Sequence, residues 1–189
     1  MDAKFRQQKP GDHLLELVRA RPVVAAAVAI IAGSALAVLG AWFFQYAMGL
    51  PPCPLCYEQR YPYYFAIPLA VMIILGESVG SRRRVLLGGL LALAAMMLWN
   101  AGLGVYHAGI EWKWWLGPQS CSAVPGTLST GGNLADKLKS INITRCDEAA
   151  WRFLGISLAG YNVLVALTLA AVAVWGFLAG RRQLPAERD

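Results

Sequence analysis

The chain has 189 residues, of which 57% are apolar and only 15% charged. Soluble domains carry about 25% charged residues, so this composition excludes an ordinary soluble protein and favours a membrane-embedded one. The formal charge of +6 does not indicate a nucleic-acid partner. The basic residues cluster beside apolar segments, and the sequence contains no phosphate-binding loop or nucleotide fingerprint.

Four apolar segments predict four transmembrane helices. They run from about 23–46, 57–76, 85–106 and 156–179. At about 1.5 Å per residue each can cross the hydrocarbon core, and in lipid only a helix satisfies its own backbone. The predicted fold class is an all-α membrane protein. Its four-helix transmembrane bundle occupies residues 23–180, between tails of residues 1–22 and 181–189.

The first apolar segment has a basic start, as a secretory signal peptide does, but it is longer than most such signals. Small residues recur at every fourth position, which would let a neighbouring helix approach closely. They are Ala25, Ala29, Gly33, Ala37 and Ala41. We therefore expect a retained helix with this stripe at a helix–helix contact.

The basic residues predict which way the chain faces. Of the 17 lysines and arginines, 11 lie in the two tails and in the cluster Arg82–Arg84. The positive-inside rule makes these segments cytoplasmic, and a long loop weighs little in that rule. The loops at about 47–56 and 107–155 then lie outside, together with all four cysteines, where disulfides persist. The alternative for the arginine cluster is a patch that binds lipid or nucleic acid.

The long outer loop, residues 107–155, is predicted to carry one short amphipathic helix. Asn133 can cap it, and Leu134, Leu138 and Ile141 would share one face. Such a helix would lie on the membrane surface, or alternatively pack on protein.

Cys121 and Cys146 flank this predicted helix. As a structural disulfide they would stabilise the loop by about 3–4 kcal/mol on the chain-entropy model. As an exchangeable disulfide they would be open to a partner's thiolate. Their spacing does not decide between the two readings.

Cys53 and Cys56 form a Cys-x-x-Cys pair at the membrane surface. A structural zinc site needs four suitably spaced ligands, and c-type haem needs a histidine after the second cysteine, where this chain has Tyr57. A redox pair therefore fits best. Arg60, four residues beyond Cys56, would favour a thiolate and attract a reduced cofactor, or alternatively reach towards lipid headgroups.

His107 lies near the outer end of the third predicted helix, with Glu111 one turn further on. It can donate to a cofactor oxygen or handle protons, or alternatively serve only as a capping or interface residue. The sequence carries no haem or flavin signature. A membrane quinone is therefore the expected oxidant of the thiol system.

The sequence resembles the bacterial disulfide bond formation protein B (DsbB) family over about residues 23–180. The shared features are four helices with both termini inside, Cys53-x-x-Cys56 with Arg60, and a later cysteine pair in the second outer loop. The runs 106–112, 146–148 and 151–155 are also similar to the family.

This resemblance implies a thiol:quinone oxidoreductase of the bacterial inner membrane. Cys121 would form the mixed disulfide with a DsbA-like periplasmic thioredoxin-fold protein, and Cys146 would be its disulfide partner. The Cys53–Cys56 disulfide would reoxidise that pair. Cys56 would face ubiquinone or menaquinone, supported by Arg60 and His107. No metal and no nucleic acid are expected, and the other expected contact is membrane lipid.

Two competing readings remain. A vitamin K epoxide reductase-like protein would also be a four-helix, quinone-linked thiol enzyme, but its loop cysteines precede the Cys-x-x-Cys pair. A non-enzymatic membrane protein would use both cysteine pairs as structural disulfides. The few polar residues inside the helices argue against a channel.

Overall fold

The computed structural model describes residue 16, residues 18–118 and residues 145–184. In this part of the chain, four helical spans are long and apolar enough to cross a membrane. This confirms the predicted all-α transmembrane bundle. Cys121 and the predicted amphipathic helix near residues 133–141 lie outside the described residues.

The elements follow one another as an up-and-down bundle with one small hairpin. The helices are α1 (Pro22–Trp42), α2 (Pro54–Glu58), α3 (Tyr61–Ser78), α4 (Arg83–Glu111) and α5 (Leu158–Arg181). A π-helical turn, Phe43–Ala47, continues α1. The antiparallel strands β1 (Arg152–Phe153) and β2 (Ile156–Ser157) precede α5.

Several helix ends lie two to five residues from the approximate predicted positions. The second span begins at Pro54 and not at residue 57, because proline is well suited to a first helical turn. The third span continues past residue 106 to Glu111. The fourth helix begins at Leu158 and not at residue 156, because the β-hairpin takes up residues 152–157.

The hairpin turn has positive φ at Leu154 (50°) and Gly155 (81°). Two consecutive positive φ values are those of a type I′ turn, whose twist matches that of paired strands. At the end of the hairpin, the side chain of Ser157 accepts a hydrogen bond from the backbone N–H of Gly160 and so caps α5.

The long helices pack closely because small residues lie where they cross. Gly176 of α5 faces Ala26 of α1, and Gly104 of α4 faces Val163 of α5, so a larger side chain at either glycine would clash. Large apolar side chains such as Leu36, Phe65 and Trp99 point outwards, as expected for surfaces that face lipid.

The predicted small-residue stripe on α1 was placed one residue out of register. Ala29 is exposed, whereas Ala26, Ile30, Ser34 and Val38 are buried. Of the stripe, Gly33 is pressed against the side chain of Leu169 and Ala37 packs against the buried core. The neighbouring α5 supplies small residues of its own, such as Ala166, Ala170 and Ala173. Larger α1 side chains therefore fit at the contact.

The end of the bundle at the α3–α4 connection is closed by polar contacts. Arg83 donates to both carboxylate oxygens of Glu77, at 2.8 and 3.0 Å, and to the amide oxygen of Gln183 at 2.5 Å. These bonds join the ends of α3, α4 and α5. We call this group the arginine clamp.

Candidate redox site

The Cys53–Cys56 pair lies at the opposite end of the bundle from the arginine clamp. Cys53 is the N-cap of α2, and its Sγ accepts a hydrogen bond from the backbone N–H of Cys56 at 3.3 Å. Pro52 and Pro54 flank Cys53 and restrict its backbone. The local sequence therefore holds the first cysteine in a fixed position relative to the second.

Both cysteines of this pair are free thiols in the structure. Their Sγ atoms lie 2.8 Å apart, so the two sulfurs are in direct contact. The hydrogen bond with Cys56, together with burial, raises the pKa of the Cys53 thiol. Cys53 is thus held as a protonated thiol close to the sulfur with which it would form a disulfide.

His107 of α4 contacts the buried thiol. Its Nε2 lies 3.6 Å from Cys53 Sγ, and its Nδ1 lies 2.7 Å from the side-chain amide nitrogen of Gln59. Both His107 and Gln59 are buried. Gln59 therefore fixes the ring so that Nε2 faces the sulfur.

Cys146 brings the second outer loop to the same point. It is disulfide-bonded and fully buried. The Sγ atoms of Cys53 and Cys146 and a ring nitrogen of His107 all lie within 4.8 Å of one another. This spacing would suit metal ligands, but a sulfur in a disulfide carries no thiolate charge. The grouping instead places the disulfide of Cys146 beside the sulfur of Cys53.

Charged residues fix the loop around Cys146. Lys113, just beyond α4, donates to the carboxylate of Asp147 at 2.7 Å, and Arg145 donates to the same carboxylate at 3.0 Å. These hydrogen bonds lower the pKa of Asp147 to about 2. The carboxylate is therefore charged at neutral pH, and we call this contact the Asp147 clamp.

Arg60 is held by a residue of the π-helical turn that follows α1. It donates from Nη1 to Oε1 of Gln45 at 2.7 Å, and its guanidinium lies 5.2 Å from the ring centre of Tyr57. Gln45 lies in the π-helical turn Phe43–Ala47. Such turns are frequent at functional sites because they redirect a side chain within a helix.

A cavity of about 210 Å³ opens beside these groups. Its polar side includes Cys56, Arg60, His107 and Glu111. Its apolar side includes Ala37, Ala41, Phe44 and Val165 of α1 and α5. A small ligand with an apolar body and a few polar atoms matches such a lining.

Glu111 contributes a carboxyl group to the cavity. Its side chain is 5% exposed, and Oε1 lies 3.8 Å from Nε2 of His107. Oε2 is buried without a hydrogen-bond partner among the described residues. A buried carboxyl group that is only partly paired is costly, and such groups are concentrated at functional sites.

The structure thus brings together five of the six residues predicted from the sequence: Cys53, Cys56, Arg60, His107 and Cys146. The sixth, Cys121, lies outside the described residues. Sequence reasoning missed Gln45 and Gln59, which hold Arg60 and His107. Gln45 could have been found from the sequence, because it is a polar side chain within an otherwise apolar span.

The fold and site define a multi-pass membrane protein with a buried thiol pair beside a disulfide and a cavity. Comparison with known proteins identifies it further. The family described as Disulfide bond formation protein DsbB matches residues 23–176. The chain belongs to this family and therefore has a role in disulfide bond formation, and the family suggests a disulfide oxidoreductase.

Individual relatives agree with the family match. The chain is similar to Disulfide bond formation protein B of Aromatoleum aromaticum, with 33% identity over 74% of this chain and 82% of the relative. It is also similar to the proteins of the same name from Albidiferax ferrireducens (30% identity; 69% and 76% covered) and Marinobacter nauticus (29% identity; 84% and 91% covered). No solved structure matches the chain.

Proposed function

We propose that the protein reoxidises a thioredoxin-like dithiol protein of the DsbA type and passes the electrons through its two cysteine pairs to a membrane quinone. The main support is the proximity of three sulfurs. Cys146 Sγ lies within 4.8 Å of Cys53 Sγ, which in turn lies 2.8 Å from Cys56 Sγ. Cys56 lines the cavity, so the row of sulfurs leads from the outer loop to a ligand-sized space.

The exchange steps proceed in one direction along this row. A thiolate of the reduced partner attacks Cys121, forms a mixed disulfide and releases the Cys146 thiolate. Cys146 then attacks Cys53, forms a Cys53–Cys146 disulfide and releases Cys56 as a thiolate, which takes up one of the two protons that the partner dithiol loses. When the partner's second thiol displaces Cys121, the partner leaves oxidised.

The inner pair must then be oxidised again. The Cys121 thiolate then attacks Cys146, which reforms the Cys121–Cys146 disulfide and releases Cys53; Cys53 takes up a proton, so Cys53 and Cys56 are both reduced thiols. Closing the Cys53–Cys56 disulfide releases two electrons and two protons. A bound quinone supplies the acceptor for both and becomes quinol.

The cavity lining supports a quinone as this acceptor. Its volume of about 210 Å³ is below the roughly 300–1,000 Å³ of sites for drug-sized ligands, and so suits a single substituted ring. Arg60, fixed by Gln45, can donate to a ring oxygen and stabilise negative charge that develops there. The isoprenoid tail of a quinone would lie along the lipid-facing helices.

The site would lie on the periplasmic side of a bacterial inner membrane. The cluster Arg82–Arg84 lies at the opposite end of the bundle and, by the positive-inside rule, faces the cytoplasm. Both termini would be cytoplasmic. The cysteines would then work in a compartment where disulfides persist.

A coupled assay tests this function. Purified protein is mixed with a reduced thioredoxin-like protein and a soluble ubiquinone or menaquinone analogue, and quinone absorbance is followed. We expect quinone reduction that requires the reduced partner, and the preferred analogue identifies the quinone class. Absence of partner-dependent reduction with both analogues would overturn the proposal.

A trapping experiment tests the order of the cysteines. In Cys146→Ala the mixed disulfide with the partner cannot be resolved internally, so we expect it to accumulate through Cys121. Peptide mapping of the trapped complex identifies the cysteine. A mixed disulfide through Cys53 would overturn the assigned order.

A further inference from the structure

The buried carboxyl group of Glu111 has no task in the exchange steps above. It shares the cavity with Cys56 and Arg60, and its Oε2 atom lacks a hydrogen-bond partner among the described residues. An ionisable side chain that is 5% exposed at the end of a transmembrane helix is expensive to retain for packing alone. The unpartnered Oε2 atom suggests that Glu111 forms a hydrogen bond with a bound ligand during turnover.

The oxidation of the inner pair creates a need for such a group. Closing the Cys53–Cys56 disulfide breaks two S–H bonds and forms one S–S bond, and reduction of a quinone to quinol forms two O–H bonds. The electrons pass from Cys56, at the cavity wall. Cys53 also lines the cavity but is almost fully buried, so its proton needs a route through protein groups to the quinone oxygen.

His107 and Glu111 lie along such a route. Nε2 of His107 is 3.6 Å from Cys53 Sγ and 3.8 Å from Glu111 Oε1. One ring nitrogen is therefore within 4 Å of both the thiol and the carboxyl group. Glu111 lies one helical turn beyond His107 on α4, so both side chains occupy the same face.

We propose, on the basis of the function proposed above, that Glu111 and His107 carry the proton of the Cys53 thiol to a quinone oxygen in the cavity. His107 takes the proton at Nε2 and donates it to Oε1 of Glu111, and Glu111 donates a proton from Oε2 to the quinone oxygen. The second proton comes from Cys56. Two protons and two electrons thus leave the thiols and enter the quinone, and Glu111 ends the cycle as it began.

The environment of His107 suits this task. For Nε2 to accept a proton, Nδ1 must carry the other ring proton. In the structure the side-chain amide nitrogen of Gln59 faces Nδ1 and donates to it when Nδ1 carries no proton; when the amide is turned over, its oxygen accepts a hydrogen bond from Nδ1–H. Gln59 can therefore serve both tautomers without leaving the ring unpaired.

The Glu111→Gln variant tests the relay, because glutamine keeps the shape and polarity of the side chain but cannot transfer a proton in this way. General acid–base groups contribute about 100-fold or more to rate, so we expect kcat for quinone reduction to fall by about 100-fold. We expect KM for quinone to stay within about twofold, since the relay acts on transfer and not on ground-state binding. Glu111→Asp should recover part of kcat.

Two readouts separate the relay from a structural role. Formation of the mixed disulfide with the partner should remain normal in Glu111→Gln, since it precedes proton transfer to the quinone. Glu58→Gln, which removes an exposed carboxylate two residues beyond Cys56, serves as the matched control and should keep wild-type kcat.

Should Glu111→Gln fail to fold, the Glu111→Asp variant still tests the relay. Its kcat is measured in H₂O and in D₂O. A larger solvent isotope effect than in wild type supports the relay, and an unchanged one opposes it.

The outcomes are distinguishable from failure of the proposed function. If wild-type protein reduces no quinone, the function itself is wrong. If wild type is active and Glu111→Gln has the same kcat, the relay is wrong while the function stands. A raised KM with unchanged kcat would also overturn the relay, because Glu111 would then position the quinone and not carry protons.

Discussion

The two ends of the bundle both hold charged and polar side chains, but they satisfy them differently. In the arginine clamp, Arg83 bonds to both oxygens of Glu77 and to Gln183. At the thiol end, Glu111 keeps one oxygen without a hydrogen-bond partner among the described residues, and a cavity lies beside it. Fully paired charges fix helices together, whereas incompletely paired groups around a cavity are available for a ligand and for chemistry.

The largest expected effect is at Cys56. In Cys56→Ser the inner pair cannot form a disulfide, so we expect quinone reduction to fall by at least about 1,000-fold, to the background rate. The coupled quinone assay measures this, with thermal unfolding as the check that the bundle is intact. Full activity in this variant would mean that the thiol end is structural, like the arginine clamp.

Arg60→Ala should have the next largest effect. Hydrogen bonds that involve a charged group contribute about 1.5–3 kcal/mol, so losing the guanidinium should raise KM for quinone by about tenfold or more. The Cys53–Cys56 disulfide should still form, as measured by thiol labelling before and after oxidation.

Arg60→Lys is the matched variant for this test. Lysine keeps the charge but not the planar fork, and so should restore only part of the affinity. Unchanged quinone kinetics in Arg60→Ala would show that Arg60 is only an anchor at the membrane surface.

A smaller effect is expected from the Asp147 clamp. Its charged groups are paired, as in the arginine clamp, but it lies at the thiol end and is exposed. Ion pairs of this kind contribute about 0.2–1 kcal/mol, so Asp147→Asn should slow exchange between Cys146 and Cys53 by about two- to fivefold at most. Rapid quenching followed by disulfide mapping measures the rate. An effect as large as that of Cys56→Ser would mean that the clamp takes part in the chemistry.

The smallest effect on activity should come from the arginine clamp. Arg83→Gln should leave quinone reduction unchanged and lower the free energy of unfolding by about 1 kcal/mol or less, because the ion pair is partly exposed. Denaturation in detergent and the coupled assay test the two parts. If Arg83→Gln lost activity without losing stability, the arginine clamp would not be purely structural, and the proposed contrast between the two ends would be wrong.

Much of the fold could be predicted because lipid leaves few choices. Any segment of about 20 apolar residues must be a helix there, so the four spans follow from composition alone. The exact ends did not follow, since Cys53 acts as an N-cap and the hairpin at residues 152–157 depends on a two-residue turn. Local hydrogen bonds at helix ends are decided by only a few residues, and hydropathy does not register them.

Part of the site was also visible in the sequence. Cys53, Cys56 and Arg60 lie within one short segment, so their proximity follows from helix geometry. The positions of His107 and Cys146 beside Cys53 do not follow in this way, because these residues come from distant parts of the chain. Only the packing of α4 against the second loop brings them together.

The sequence by itself therefore determined the four-helix membrane bundle and the local thiol motif, because both depend on short-range spacing and on transfer of apolar residues into lipid. The tertiary structure alone decided that Gln59 holds His107, that Gln45 holds Arg60, and that Glu111 faces the cavity with an unpartnered oxygen. These contacts join residues that are far apart in the chain. They exist because the helices pack with one particular rotation about their axes, and that rotation is a property of the assembled bundle.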